Sequence, residues 1–514
     1  MNVLFITADQ WRGDCLSARD HPCLRTPHLD ALAGDGILFR RHYSQATPCA
    51  PGRASLYTGM YLHNHRVVVN GAPLDARHTN VALEARRAGY APGLLGYTDT
   101  GADPRDRPPG DPALRTHGGV LPGMTPVRWN EPHWRAWFAD LKAKGYAVPE
   151  RFLDIYKPRE DAAAAGRGLT YAPAAYAAED SETAFLTGAA IEHLSAGDGR
   201  PWFLHLSFLA PHPPFVASAP YHDMYAPADV PPPVRAASVE QEASQHPFLA
   251  DYLHNQRGWG IYFEFDSRNN LALGDVDVLQ ARATYYGMMS EVDAQIGRLI
   301  DYLRASGAYD DTLIVFTSDH GEQLGDHWQF SKYTYFDQSF HIPLIVRDPR
   351  PEANGHRGRQ VDAFTENVDV MPTILDYLGL DVPAQCDGAS LAPFCRGETP
   401  DPWRDAAHWE FDFRDLVAPG EDRFLGLTPD QCNMSVLRGE RYKYVHFTAL
   451  PPLFFDLQED PAELVNLAED PDHRPLVLEY TRRMLSWRMN HDERVLANTM
   501  LTPDGVVEIK PPRY

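Results

Sequence analysis

The sequence predicts an α/β fold with a smaller α+β domain at its C-terminal end, on three observations. Short apolar runs alternate with helix-like segments from the start to about residue 380, the grammar of a parallel sheet with helical crossovers. Beyond 380 strand-like pieces crowd together ahead of one closing helix. The 514 residues are 44% hydrophobic and 23% charged, enough apolar mass for one large core and a second smaller one. Residues 1–380 are therefore expected as the α/β unit and 381–514 as the α+β unit.

The run 3–6 reads as a buried strand because it is short, apolar and bounded by turn chemistry. The same holds for 93–95, 203–208, 313–316 and 344–346. Helices are expected from 28 onward and over 55–60, 181–194, 281–303 and 371–377, the last amphipathic and stopped at Gly379. Stretches 101–176 and 213–273 are rich in Pro, Gly and aromatic residues. They read as long excursions that build site walls or contacts between copies. In the C-terminal part, 441–447 and 453–457 are strand-like and 476–489 helical.

Lys plus Arg number 47 against 70 Asp plus Glu, a net charge of −23. That balance repels polyanions, so neither nucleic acid nor an anionic membrane surface is an expected partner. No run approaches the ~20 apolar residues of a membrane helix, and the start carries no basic or long apolar leader. A cytoplasmic protein is expected. The six cysteines, at 15, 23, 49, 386, 395 and 432, lack CxxC spacing, so neither a disulfide framework nor a zinc knuckle is indicated. A substrate anion would need positive charge concentrated locally.

The chemistry lies just past the strands. Residues 3–6 run into Asp9-Gln10, 313–316 into Ser318-Asp319-His320-Gly321-Glu322, 93–95 into Tyr97-Thr98-Asp99-Thr100, and 203–208 into Pro211-His212-Pro213-Pro214. Ligands of open parallel sheets bind outside the carboxyl ends of strands. Any one of these residues is explained as a helix cap; four together are not. Asp9, Gln10, Asp319 and His320 offer mostly oxygen with one imidazole, a set for Ca²⁺, Mg²⁺ or Mn²⁺. His327 and His341 read as structural histidines.

The segment Thr47-Pro48-Cys49-Ala50-Pro51-Gly52-Arg53-Ala54-Ser55-Leu56-Tyr57-Thr58-Gly59 is the sharpest. Prolines stiffen the chain on both sides of Cys49, and a helix is expected to begin just after. A helix N-terminus attracts anions and lowers a thiol pKa, and Arg53 adds a fixed cation.

Cys-Ala-Pro-Gly-Arg followed by Ala-Ser-Leu-Tyr-Thr-Gly resembles the C-x-P-x-R signature of the type I sulfatases. The first strand through Asp9-Gln10, Ser318 to Glu322 with Gly325-Asp326-His327, Asp387 to Leu391, and Phe455 to Glu463 resemble further landmarks of that family, from residue 2 to about 467. The resemblance implies an alkaline-phosphatase-like α/β/α sandwich. It also implies one divalent metal, Mn²⁺ or Ca²⁺, on Asp9, Gln10, Cys49, Asp319 and His320, and oxidation of Cys49 to formylglycine by a maturation enzyme. The implied activity is hydrolysis of a small anionic ester. The hydrated residue 49 attacks sulfur or phosphorus, Arg53 and Lys332 balance the non-bridging oxygens, and His212 with Lys332 assists the leaving oxygen. Release by C–O cleavage then needs no second attack at sulfur or phosphorus.

Departures sharpen the resemblance. Typical members use Asp-Asp and Asp-Asn pairs where this chain has Asp9-Gln10 and Asp319-His320, and a lysine near the place of Tyr97. These changes are similar to the phosphonate monoester hydrolase branch, which matches also at Asn70, His212 and Lys332, with Asn70 and Tyr97 as substrate-binding positions. Asp99, between Thr98 and Thr100, stands nearest the threonine of that branch and disfavours a doubly charged substrate. The resemblance to that branch, with the aromatic stretch 252–265, implies a homo-oligomer, with a tetramer as the candidate state. Two rivals are set against this reading: a metal-dependent phosphatase or phosphodiesterase with an ordinary side-chain nucleophile, and a non-catalytic binding or assembly member.

Overall fold

Strand β1 (Asn2–Ala8) runs through the middle of an eight-stranded sheet and feeds alternate residues to two cores. The computed structural model describes the chain apart from residues 117, 130–133, 256–260, 263–266, 417–424 and 509–514. The sheet is completed by β2 (Ile37–Tyr43), β3 (Gly93–Gly96), β4 (Thr125–Trp129), β5 (Phe203–Phe208), β6 (Thr312–Thr317), β7 (His341–Arg347) and β8 (Arg359–Glu366). Its order is β4-β3-β5-β1-β6-β7-β2-β8.

Leu4, Ile6 and Ala8 face one core, shared with the helices Pro27–Gly34, Glu182–Ser195 and the 31-residue Asp275–Ala305. Val3 and Phe5 face the other, shared with Cys49–Thr58, Val81–Arg87 and Val370–Tyr377. The result is the expected α/β/α sandwich. Helix starts are fixed by local chemistry: Ser181 Oγ accepts from Ala184 N, and Asn80 Oδ1 from Ala82 N and Leu83 N.

The expected all-parallel sheet needs one correction. β7 pairs antiparallel with both β6 and β2, while the other described pairings of this sheet are parallel. The cause is the connection 318–340, which closes on itself through Gly321 N to Ser339 O at 2.7 Å. The chain therefore re-enters the sheet at the rim it left and runs back. β2 and β8 escape a search for apolar runs because each carries polar residues along part of its length: Arg40 and Arg41 in β2, Arg359, Gln360 and Asp362 in β8. β4 lies inside the stretch read as an excursion and forms one edge of the sheet.

Beyond the sandwich, β9 (Ala407–Asp412), β10 (Asn433–Arg438), β11 (Tyr442–Phe447) and β12 (Leu453–Asp456) form a second, antiparallel sheet. Trp409, Phe411 and Phe455 pack with Tyr43, Phe336 and Phe340 of the sandwich, while Tyr444 and Phe454 take Tyr480 and Met484 of the helix Arg474–Asn490. A hairpin of β13 (Thr499–Thr502) and β14 (Gly505–Glu508) completes the described C-terminal part. Among the described residues no helix is long and apolar enough to cross a membrane. Much of the aromatic stretch 252–265, on which the oligomer expectation drew, lies outside the described residues.

Register explains why the four strand ends meet. Thr7 of β1 stands between Ser207 of β5 and Thr317 of β6, and Leu95 of β3 stands beside Leu206. All four strands therefore deliver the residues past their ends to one rim.

Candidate active site

At that rim Asp9, Cys49, Asp319 and His320 bring four ligand atoms within 4.8 Å of one another, all buried. Asp9 comes directly after β1, and Gln10 turns the chain in the left-handed region at φ 68°. That turn lets Gln10 N donate to Asp319 Oδ1 at 3.1 Å. The turn itself is bridged by Tyr285 of the long helix, whose hydroxyl donates to Gln10 O at 2.6 Å and accepts from Arg12 N at 3.2 Å.

Cys49 opens the helix Cys49–Thr58. Its first turn lies against the 319 segment because residue 52 is glycine: a Cβ there would fall 2.6 Å from the Asp319 carbonyl oxygen. Cys49 Sγ stands 3.2 Å from His320 Nε2, 3.5 Å from Lys332 Nζ and 3.8 Å from Asp9 Oδ1. Asn70 Oδ1 accepts from Ala50 N at 2.9 Å, so Asn70 tethers the turn that presents Cys49.

Arg53, one turn on, is fully buried and heavily engaged. Nε donates to Asp319 Oδ2 at 2.9 Å and Nη2 to Asp9 Oδ2 at 3.1 Å; Nη1 reaches Ser207 Oγ at 2.9 Å and Tyr97 O at 3.1 Å. Its charge therefore acts through the two carboxylates it spans. Tyr97 does more than withhold a cation. Its hydroxyl donates to Asp9 Oδ2 and its ring lies 4.2 Å from the Arg53 guanidinium carbon. Tyr97→Phe is expected to lose about 10- to 100-fold in kcat/KM, the worth of one hydrogen bond to a buried charge. The loss should be equal for singly and doubly charged substrates; a loss confined to one class would contradict a role through Asp9.

Lys332 and His212 form the far wall. Lys332 Nζ donates to Gln10 Oε1 at 2.6 Å and to His212 Nε2 at 3.0 Å. His212 Nδ1 pairs with the Pro213 carbonyl at 2.7 Å, which puts that ring proton on Nδ1 and leaves Nε2 as acceptor. Burial, helped by the Lys332 charge, pushes His212 down to about 3. Burial also opposes the Lys332 ammonium, but Cys49, Tyr333, Asp9 and Asp319 outweigh it and hold lysine above its usual range. The proton of the pair thus sits on Nζ. His320 likewise donates Nδ1–H to Gly321 O at 3.0 Å, so its Nε2 lone pair faces the cluster.

Burial first, then the carboxylates of Asp9, Asp319 and Asp99, push the Cys49 thiol well up, with Lys332 pulling the other way. That reverses the lowering expected from the helix N-terminus alone. Two buried carboxylates, an imidazole lone pair and a sulfur around one point, with negative charge dominating, fit a divalent cation. His327 and His341 lie outside the cluster, on Glu242 Oε1 at 2.9 Å and the Arg40 carbonyl at 2.9 Å.

Glu322, Ser207, Tyr57, His205 and Tyr285 join the site through contacts that the motifs in the sequence do not mark. Tyr57 OH lies 3.3 Å from Arg53 Nη1 and 2.9 Å from His205 Nε2, inside the core. Glu322 alone carried a signal, a carboxylate within the Ser318–Glu322 run beside the metal-type pair. It is buried, accepts from Gln10 Nε2 and Leu324 N, and burial pushes it up to about 7.

The sulfatase family profile matches residues 1–380, and a profile for the C-terminal region of N-sulphoglucosamine sulphohydrolase matches residues 325–490. A multifunctional alkaline phosphatase superfamily protein of Trinickia caryophylli is 44% identical over 510 residues, 98% of each chain. A choline-sulfatase of Rhizobium meliloti is 30% identical over 91% of this chain and 83% of its own. The crystal structure of the phosphonate monoester hydrolase of Agrobacterium radiobacter superposes with a TM-score of 0.93 at 47% identity, covering 99% of this chain and all of that one.

Proposed function

The chain belongs to the sulfatase family, and on that premise we propose that it is a metal- and formylglycine-dependent hydrolase of compact monoanionic esters. Its sandwich is of the alkaline-phosphatase-like kind, and several of its relatives are phosphonate monoester hydrolases or sulfatases by name. The observation that carries the reading is the buried convergence of Asp9, Cys49, Asp319 and His320 with Lys332 against them. Phosphonate monoesters, phosphate diesters and aryl sulfates form the substrate class.

Asp9, Gln10, Asp319, His320 and residue 49 would hold one Mn²⁺ or Ca²⁺, which supplies Lewis-acid charge where the ester oxygens bind. Formylglycine at 49, made by a maturation enzyme, would take up one water across its aldehyde to give two hydroxyls on one carbon, so the product could leave by C–O cleavage without a second attack at phosphorus or sulfur. The chain's own groups do the rest. Arg53 and Tyr97 hold Asp9 and Asp319 in place, and Gly52 lets the helix start approach them. Lys332 places an ammonium 3.5 Å from the position-49 sulfur, in reach of a non-bridging oxygen. Its Nζ proton, oriented by neutral His212, is the one available to a leaving oxygen. A cytoplasmic homo-oligomer is part of the reading, and light scattering that reports monomer alone would refute the oligomer.

Substrate charge tests the proposal. Asp9, Asp319 and Asp99 face Cys49 against Lys332, with Arg53 spanning the first two. With Glu322 on Gln10 counted as well, a divalent cation leaves the site near neutral, so a monoanion is desolvated at less cost than a dianion. A dianion brings a second charge that must be desolvated without a partner. With one aryl leaving group throughout, kcat/KM should be at least about 100-fold higher for the phosphonate monoester than for the phosphate monoester, some 3 kcal/mol of unmatched charge. A preference for the phosphate monoester would sink the reading.

A further inference from the structure

We propose that Glu322 is the positioning residue that turns the Gln10 amide oxygen toward the metal cluster. The inference rests on the proposed metal site and adds to it what chooses between the two faces of one ligand.

A glutamine amide binds a cation only through oxygen. Turned over, it has the same shape but presents an NH₂ that repels the ion. Gln10 is fully buried, so no water corrects a wrong orientation. Its two ends meet opposite chemistry. On one side stands the Lys332 ammonium, which can only donate, 2.6 Å from Oε1. On the other stands Glu322 Oε2, which accepts from Nε2.

Glu322 is itself fixed. It is fully buried, and its second oxygen, Oε1, accepts from Leu324 N at 2.9 Å and from Ser331 N. Those two amides bracket a loop with Leu324, Gly325, His327, Trp328 and Ser331 in the left-handed region, a conformation that holds only where bonds oblige it. Gln323 N to Ser331 O at 2.8 Å and Gly325 N to Gln329 O at 2.7 Å supply others. Lys332 comes directly after this loop. One carboxylate thus ties the loop that delivers Lys332 to the side chain that Lys332 meets. The Asp319 carboxylate, accepting from Gln10 N, and the Tyr285 hydroxyl, donating to Gln10 O, hold the backbone of Gln10 and leave only the amide face to be decided.

The swap Glu322→Gln keeps size and replaces one acceptor by a donor. Leu324 N and Ser331 N need the acceptor, so the new NH₂ faces Gln10 Nε2, donor against donor. Either Gln10 turns its oxygen away from the cluster or the loop loses its tie. The double variant Gln10→Glu/Glu322→Gln removes the conflict: the introduced amide donates to one oxygen of the introduced carboxylate, whose other oxygen faces Lys332 and the cluster. The total charge of the pair is unchanged.

Purified wild type, Glu322→Gln and the double variant are compared for Mn²⁺ and Ca²⁺ affinity by chelator competition, with elemental analysis and ion-free melting alongside. Glu322→Gln should bind about 10- to 100-fold more weakly, the usual cost of losing a partner that orients a ligand. The double variant should return to within a few-fold of wild type. Wild-type affinity in Glu322→Gln, or no recovery in the double variant, overturns the inference alone. Absence of ion in the wild type overturns the metal reading and this inference with it. Should Glu322→Gln fail to fold, recovery of folding and ion binding in the double variant supports the pairing, and continued failure overturns it.

Discussion

Cys49→Ala should lose at least about 10⁴-fold in turnover, in the range seen when a nucleophile is removed, while the protein keeps its fold. The two halves of that expectation have separate causes. Cys49 is one small buried side chain at the start of a helix held by Gly52, Asn70 and the core behind it. Removing its sulfur costs on the order of 1 kcal/mol. Chemistry has no substitute within reach, because the neighbours of Sγ are His320, Lys332 and Asp9, a ligand-type imidazole, an ammonium and a carboxylate. Cys49→Ser separates the mechanisms. A serine hydroxyl can attack once, but it lacks the second hydroxyl that would expel the product. It should release about one leaving group per subunit in a burst and then stop. Steady turnover by Cys49→Ser at the wild-type rate would favour an ordinary side-chain nucleophile. Full activity in wild-type protein whose residue-49 peptide has the mass of unmodified cysteine would exclude formylglycine outright. Without the ion, burial and three carboxylates push that thiol well above its usual range.

Much of this was legible in the sequence because the fold puts its chemistry at strand ends. An apolar run stops and a polar residue comes next, and the four such junctions before Asp9, Tyr97, His212 and Asp319 are the four ends that register brings to one rim. The pattern that found β1, β3, β5 and β6 could not find β2 or β8, whose polar residues break the apolar run. Nor could it orient β7, because direction there depends on a loop closing through one backbone hydrogen bond. Within the site, motif spacing locates Cys49 and Arg53 four residues apart but says nothing of what the guanidinium touches. Its contacts lie 44, 154 and 266 positions away, on Asp9, Ser207 and Asp319. Tyr97 looked like the absence of a lysine. The fold makes it a hydroxyl on Asp9 and a ring against Arg53. Tyr285 is invisible for the same reason, since a tyrosine in a long helix acquires a role only from what packs against it, and the carboxylate of Glu322, though marked by the run it ends, gains its partner only from the fold.

Asp319→Asn should abolish measurable metal binding and activity while leaving the metal-free protein close to wild type in stability. The carboxylate does two jobs. Oδ1 accepts from Gln10 N at 3.1 Å and His320 N at 3.0 Å, and Oδ2 accepts from Arg53 Nε at 2.9 Å. An asparagine oxygen can keep the two backbone bonds, so the turn at Gln10 survives. Its NH₂ then faces Arg53 Nε, which loses one partner but retains Asp9, Ser207 and the Tyr97 carbonyl. Without metal the change also relieves a conflict, since burial and the nearby Asp9 carboxylate push Asp319 above the usual carboxylate range. Losing that repulsion offsets much of the lost ion pair. With metal the balance inverts, because the removed charge is a ligand. Wild type at about a hundredfold excess of ion over Kd should gain about 2.7 kcal/mol of stability; the variant should gain nothing at the same concentration. Melting each protein with and without Mn²⁺ or Ca²⁺ therefore reads the ligand directly, separately from turnover. An ion-dependent stabilisation in Asp319→Asn equal to that of wild type would remove Asp319 from the metal set, and a large loss of stability in the ion-free variant would make its role structural instead.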